Sequence, residues 1–289
     1  MLLSDFSDFQ TLITDTQISV CFRFEAGSQL NTVSLGCDLM LTNVSGLVIR
    51  ERQSGDNDKF LDILTETNGV VEVMAKGVKK YSCPFAAASQ LYAYSKFCLV
   101  RKRDRYYIDS AETIKIFYAV REKLEWFSLV SYFSEVISFC QFPDEENSRT
   151  ILRLFLNILH FLTEGEREEA LLKSIFEFRL MSETGHMPAV AGCNVCNTYQ
   201  TEKMYFGAGS GNLYCEDCFP SVRNSDAVCI GAPVLHAIRH IVLTDFDRLF
   251  KFKLTGESMK QLSAISEKYL LAHLGRSRFR TLDFYNSLI

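Results

Sequence analysis

The sequence predicts an α+β chain of more than one domain: a small N-terminal β-barrel, then an all-α domain carrying a cysteine-rich insertion. Three observations predict it. Short alternating apolar runs, broken by turn residues about every ten positions, fill residues 41–118. A helical period takes over from about residue 111. Two Cys-x-x-Cys pairs, Cys193/Cys196 and Cys215/Cys218, stand close together in the second half. The 289 residues are 47% hydrophobic, ample for two cores, and only 15 Gly and 5 Pro exclude a collagen-like or low-complexity chain.

Residues 1–40 hold five acids against one Arg and a weak alternation in Gln17–Phe24. They read as a poorly ordered extension, with Met40 opening the folded segment; a short added strand over Ile18–Phe24 is the alternative. The N-terminus has acids where a secretion signal needs Lys or Arg, and no apolar run reaches the roughly 18–20 residues of a membrane span. The expectation is a cytoplasmic protein whose thiols stay reduced.

Residues 41–118 form the β domain. Leu47 and Ile49 alternate with Val48 and Arg50, and Gly55–Asp58 is a turn cluster. Strands are expected at Phe60–Thr65 and Val70–Met74, joined by Asn68-Gly69, a strong short hairpin signal. Another strand is expected over Gln90–Val100, then a charged turn at Arg101–Arg105 and a return at Tyr106–Ile108. A segment of this size with this strand rhythm suits an OB-type barrel better than an immunoglobulin-like sandwich.

Residues 119–289 form the helical domain, interrupted at 186–232. Val120, Leu124, Phe127, Val130 and Ile137 keep one helical face. The Pro143–Asn147 stretch breaks that helix, and Ile151–Leu162 is apolar nearly all round, as in a central buried helix. Thr163 with Glu166 has the spacing of a capping box, opening a helix that runs to Gly185. Pro233 suits the first turn of a helix over Val234–Leu243. A last helix spans Glu257 to Leu274, with Leu262, Ile265 and Tyr269 inward and Gly275 as its stop.

The insertion carries the sharpest chemistry. Eighteen residues separate Cys193-x-x-Cys196 from Cys215-x-x-Cys218. Each pair offers two sulfurs to one edge of an ion, and two pairs complete the tetrahedron Zn²⁺ prefers. Gly207, Gly209 and Gly211 suit a tight connection between them. A dithiol redox site would need a βαβ frame, which is lacking. Four thiolates leave no position open for water, so one structural Zn²⁺ per chain is expected. The other cysteines, Cys21, Cys37, Cys83, Cys98, Cys140 and Cys229, read as packing residues.

The net charge of -4 hides an asymmetry. Within 76–105, the eight cations Lys76, Lys79, Lys80, Lys96, Arg101, Lys102, Arg103 and Arg105 face Asp104 alone, a local +7. Tyr81, Phe85, Tyr92, Tyr94, Phe97, Tyr106 and Tyr107 are interleaved with them. Cations that track phosphates beside rings that receive bases suit single-stranded nucleic acid; rings at alternating strand positions also suit a core. The candidate DNA-contacting residues are Arg50, Arg52, Lys76, Lys79, Lys80, Arg101, Lys102, Arg103 and Arg105. A second cluster, Arg276, Arg278 and Arg280 with His273, closes the last helix and is a candidate for an acidic peptide or DNA. His236 and His240 read as a surface pair, and Glu145-Glu146 and Glu168-Glu169 as solvated carboxylates. No phosphate loop, nucleophile elbow or deaminase signature is found, so no enzyme is expected.

Four stretches together resemble the RecO family of bacterial recombination mediators. They are Gly46-Leu-Val-Ile-Arg50 leading into Gly55-x-x-Asp58, and Leu64-Thr65-x-x-x-Gly69 into Ala75-Lys76-Gly77-x-Lys79-Lys80. The others are Gly185-x-x-Pro188 ahead of Cys193, and His273-Leu-Gly275-x-x-Arg278. The likeness covers about 41–285. It departs at Asp56, where the family favours Glu, at His186, where it favours an aromatic, and at Asn197, where a Gly is usual. The resemblance implies an OB domain, a helical domain and a four-cysteine zinc site. It implies binding of single- and double-stranded DNA, annealing of complementary strands, and contact with RecR. Contact with the acidic tail of single-strand-binding protein, easing RecA loading, and a nucleoid-associated location are implied too. The alternative from another class is a zinc-stabilised protein–protein adaptor whose basic strip binds acidic protein tails.

Overall fold

The computed structural model describes residues 40–222 and 226–289. The expected extension, the Ile18–Phe24 strand, Cys21 and Cys37 lie outside the described residues.

Five strands open the described chain: β1 (Met40–Ser54), β2 (Asp58–Thr65), β3 (Gly69–Ala75), β4 (Ala93–Lys102) and β5 (Arg105–Ile116). They pair in the order β1-β2-β3-β5-β4 and close back on β1 as a barrel. Every pairing is antiparallel except β3 with β5. Closure depends on the length of β1. Its first half pairs with β4 and its second half with β2, and the register shifts between Val48 and Arg50. Such an irregularity bends a strand and lets one chain serve two neighbours. Gly46 lies where the two pairings overlap, and a Cβ there would collide with Ile63. Val44, Val48, Leu61, Ile63, Val73 and Leu99 fill the barrel, and Val78, Phe85 and Ala88 of the loop after β3 join that core.

The expected strand over Gln90–Val100 starts late, at Ala93, for a conformational reason. Tyr92 sits at φ 62, in the left-handed region, which a strand residue cannot occupy. Its N–H donates to Val48 O at 2.8 Å, its ring meets Phe127 edge-on, and its hydroxyl lies 3.3 Å from Ser131 Oγ. The expected charged turn narrows to Arg103-Asp104, because β4 runs to Lys102 and β5 starts at Arg105. The expected helical period from residue 111 is also corrected. Pairing of Ala111 with Phe97 and Ile116 with Ala93 extends β5 to residue 116, so a long-range partner overrides local pattern.

A 3₁₀ turn (Tyr118–Arg121) leads to α1 (Leu124–Phe139), whose buried face is Trp126, Leu129, Val130, Phe133, Val136 and Ile137. The expected stripe fails at Leu124, which is exposed at the helix start. Next comes α2 (Glu145–Thr163), capped by Asp144, whose carboxylate accepts from Asn147 N at 2.8 Å. The expected Thr163–Glu166 capping box does not form. Thr163 ends α2, and its hydroxyl donates to the carbonyls of Leu159 and His160. The following helix, α3 (Glu169–Glu183), opens after Glu168 and ends before Gly185 at φ 89.

Between α3 and the next long helix lies a three-stranded sheet in the order β7-β6-β8: β6 (Met204–Gly207), β7 (Leu213–Cys215) and β8 (Ala227–Ile230). The short α4 (Phe219–Val222) follows β7. Helix α5 (Ala232–Leu243) has Pro233 in its first turn, and α6 (Gly256–His273) buries Leu262, Ile265 and Tyr269 as expected. A further helix, α7 (Arg280–Asn286), follows, so the helix ending at Gly275 is not the last.

Tilted and edge-on rings form the helical core, with Phe133 and Phe176 centroids 4.1 Å apart. One buried ionic group threads it. Lys173 Nζ lies 2.8 Å from Glu177 and 2.9 Å from Glu267, and Glu177 also accepts from Tyr132 and Ser266 hydroxyls. Every polar end thus has a partner, which burial demands. Barrel and helices are joined where Gly69 N donates to Ser148 Oγ at 3.1 Å. Among the described residues, no helix is long and apolar enough to cross a membrane.

Candidate nucleic-acid interface and metal centre

Strand parity decides where the barrel's cations point. Along β2, Leu61 and Ile63 fill the core, so Phe60 and Asp62 face outward; along β3, Val73 and Ala75 point in, so Glu72 and Met74 point out. The charged side chains then sort by their neighbours. Lys76 and Lys102 share the Tyr107 ring, at 5.0 and 5.8 Å from its centroid. Arg52 and Arg105 share Phe60, at 5.8 and 5.9 Å. Arg101 lies 5.9 Å from Tyr106, its cross-strand partner. The structure therefore brings Arg52, Lys76, Lys102 and Arg105 to the outer face around Phe60 and Tyr107, whereas Arg101 and Tyr106 share the inward parity of Leu99 and Ile108.

The other candidates stand differently. Lys79 and Lys80 are exposed on the loop after β3, with Lys79 N donating to Asn57 O beside the β1–β2 turn. Arg103 is exposed at the β4–β5 turn with φ 55. Arg52 is held by Asp62 at 2.9 Å and by Glu72, and Arg50 lies 3.9 Å from Asp62. Those two arginines are balanced by carboxylates on their own face, which sequence spacing did not reveal.

The rings divide as well. Phe85 and Phe97 belong to the barrel core, and Tyr92 and Tyr94 are buried. Tyr106 packs partly against the core, Tyr107 is half-buried outside it, and Tyr81 is fully exposed. Sequence reasoning missed Phe60. The signal was present: in Phe60–Thr65 an aromatic occupies the polar parity, in step with Asp62.

The four cysteines converge. The sulfurs of Cys193, Cys196, Cys215 and Cys218 all lie within 4.8 Å of one another, with Cys196 and Cys215 at 3.6 Å. A tetrahedral ion with Zn–S bonds of about 2.3 Å would hold its sulfurs about 3.8 Å apart. The local backbone explains the convergence. Asn197 turns back at φ 60 to donate to Cys193 O, Cys193 N donates to Thr198 O, and Asn194 N ties this turn to Leu213 O. Gly211, at φ 69, closes the connection between the pairs, with the Tyr269 ring against it.

Electrostatics favours a cation at this centre. Burial pulls the Cys193 thiol upward, but backbone N–H groups of Cys196, Cys215 and Val195 outweigh it and bring it down to about 6. Contact with Cys215 and Cys196 pushes Cys218 up to about 12. Four adjacent sulfurs cannot all be anionic without positive charge between them. The donor set therefore fits a soft divalent metal held by thiolates alone. Buried Arg239 of α5 clamps the loop bearing the first pair, donating to Val190 O at 2.8 Å and to Ala191 and Tyr199 carbonyls. Its guanidinium also covers the Tyr199 ring at 3.8 Å. Nothing in the sequence singled it out.

The remaining expectations resolve one by one. Arg276 lies over Phe139 at 4.1 Å, Arg278 is 3.8 Å from Asp283, and Arg280 lines a cavity with Tyr92, Ser131 and Glu135, so the three do not share one partner. His236 meets Gln200 and His240 meets Arg248 O, two separate contacts. Glu169 is not a solvated carboxylate, because it accepts the Trp126 indole N–H at 2.9 Å. Cys229 is exposed and not a packing residue, whereas Cys83, Cys98 and Cys140 are half-buried; burial pushes the Cys140 thiol up to about 12.

Comparison with known proteins matches two family models in succession: "Recombination protein O N terminal" over residues 40–117 and "Recombination protein O C terminal" over 121–283. Curated relatives named "DNA repair protein RecO" align along most of the chain. One from Acetivibrio thermocellus is 28% identical over 244 residues, 84% of this chain and 96% of its own length. Those from Alkaliphilus metalliredigens and Symbiobacterium thermophilum are 26% and 27% identical, covering 84% and 86% of this chain and 98% of each relative.

Proposed function

The chain belongs to the recombination protein O family, and on that premise we propose that it serves DNA repair and homologous recombination as a non-enzymatic, DNA-binding mediator. In this reading the barrel, of OB type, binds single- and double-stranded DNA and brings complementary strands together. It works with RecR and with the acidic tail of single-strand-binding protein to ease RecA loading, in the cytoplasm at the nucleoid. The observation that carries the reading is the gathering of Lys76, Lys102 and Arg105 about Tyr107 and Phe60. Cations at such density attract a polyanion, and release of its counterions drives association.

One Zn²⁺ per chain at Cys193, Cys196, Cys215 and Cys218 completes the proposal. Bound there, the ion cross-links the segment between α3 and α5 and performs no reaction, since four thiolates fill its coordination. Of the three C-terminal arginines, Arg278 already faces Asp283, so Arg276 and Arg280 suit an acidic tail best.

Annealing of two labelled complementary oligonucleotides, with and without single-strand-binding protein, tests the function. The full chain is expected to accelerate pairing, and Lys102→Glu with Arg105→Glu to slow it. Failure to bind either strand, combined with retention of an acidic peptide by the same sample, would favour the adaptor reading. Elemental analysis is expected to give one zinc per chain.

A further inference from the structure

The registers of three barrel strands place an apolar row on the outside of the molecule. Phe60 of β2 pairs with Met74 of β3, and Met74 pairs with Tyr107 of β5. All three are half-buried and have the outward parity. Neighbouring strands are about 4.8 Å apart, so Phe60 and Tyr107 stand about 10 Å from one another with a thioether between them. Cations flank both ends of the row. Arg105 lies beside Phe60, and Lys76 and Lys102 lie on either side of Tyr107.

The next row on the same face has the opposite character. Asp62 pairs with Glu72, and both carboxylates hold Arg52. A phosphate chain is repelled there and gains nothing from a guanidinium already engaged. The same surface thus offers a polyanion one favourable track, along the apolar row.

We infer that Phe60, Met74 and Tyr107 form a base-stacking platform for single-stranded DNA, with Lys76, Lys102 and Arg105 taking the adjoining phosphates. This rests on the DNA-binding reading above and adds which faces receive bases. A duplex keeps its bases stacked inside and cannot use the platform, so the rings confer preference for single strands, whereas the cations serve both forms. Stacking tolerates every base, so little sequence preference accompanies it.

The test uses the full chain and a dye-labelled oligothymidine, with a duplex as the second ligand. Phe60→Leu and Tyr107→Leu keep bulk and remove the aromatic face; each is expected to weaken single-strand binding by about tenfold. The slope of affinity against salt and the duplex affinity should stay unchanged. Tyr107→Phe is expected to bind like the parent. A second measurement needs no variant: ultraviolet cross-linking of an iododeoxyuridine oligonucleotide should mark peptides containing Phe60 or Tyr107. Leucine variants that bind single strands normally, or cross-links confined to other peptides, overturn the platform while leaving DNA binding intact. Absence of binding to either ligand by the parent chain overturns both readings.

Discussion

Trp126 is the chain's only tryptophan, and its indole N–H ends on Glu169. Burial pushes the Glu169 carboxyl above the ordinary glutamate value, more strongly than Trp126 and Lys123 pull it back. The folded form therefore takes up this proton at higher pH than the unfolded form. The stability from this group is fully present below the unfolded value and is lost as pH rises through the folded one. Trp126 fluorescence should accordingly titrate with a midpoint above that of a free glutamate, and Glu169→Gln should flatten the curve; an unchanged titration in that variant would refute the link. Lys173 offers a second residue-level test. It is 2% exposed and holds fully buried Glu177. Lys173→Met strands that carboxylate and is expected to cost about 3–5 kcal/mol in denaturant unfolding. The double change Lys173→Met, Glu177→Met should recover much of the loss, since apolar pairs of similar size replace buried ion pairs well.

Apart from the Thr163–Glu166 capping box, elements whose cause is local were legible in the sequence, and many of those set by distant partners were not. Pro233 and Gly275 marked a helix start and stop because ring constraint and a left-handed cap act within one turn. The cysteine pairs were legible for the same reason: each turn shapes its own sulfurs. By contrast, β5 reaches residue 116 only because β4 lies beside it, and Tyr92 leaves the strand region to reach Val48 and Ser131. The carboxylates that occupy Arg50 and Arg52 come from β2 and β3, and the platform row exists only through strand register. Arg239 belongs to this second group, reaching from α5 to the loop of the first cysteine pair. Arg239→Met leaves all four sulfurs in place, yet it should weaken zinc retention against a chelator by about tenfold or more. Hydrogen exchange should quicken over 190–199 and stay unchanged in β1–β5. Parental zinc retention in this variant would show that the clamp is dispensable.

For the molecule as a whole, the barrel carries the outer cations and packs against the helices. Gly69 is one joint between them: it sits at φ 61, the Phe142 ring lies where a Cβ would point, and its N–H reaches Ser148. Gly69→Ala should cost more than about 1 kcal/mol, through both backbone strain and the displaced ring. The central claim is that cations assembled on one barrel surface grip the phosphates of a single strand. Its most direct test is the affinity of the full chain for oligothymidine across a salt series. Three working cations, Lys76, Lys102 and Arg105, predict a log–log slope on the order of -2, falling in magnitude by about 1.4 when Lys102 and Arg105 are both made Gln. A slope near zero, or one that the double change leaves untouched, would contradict it.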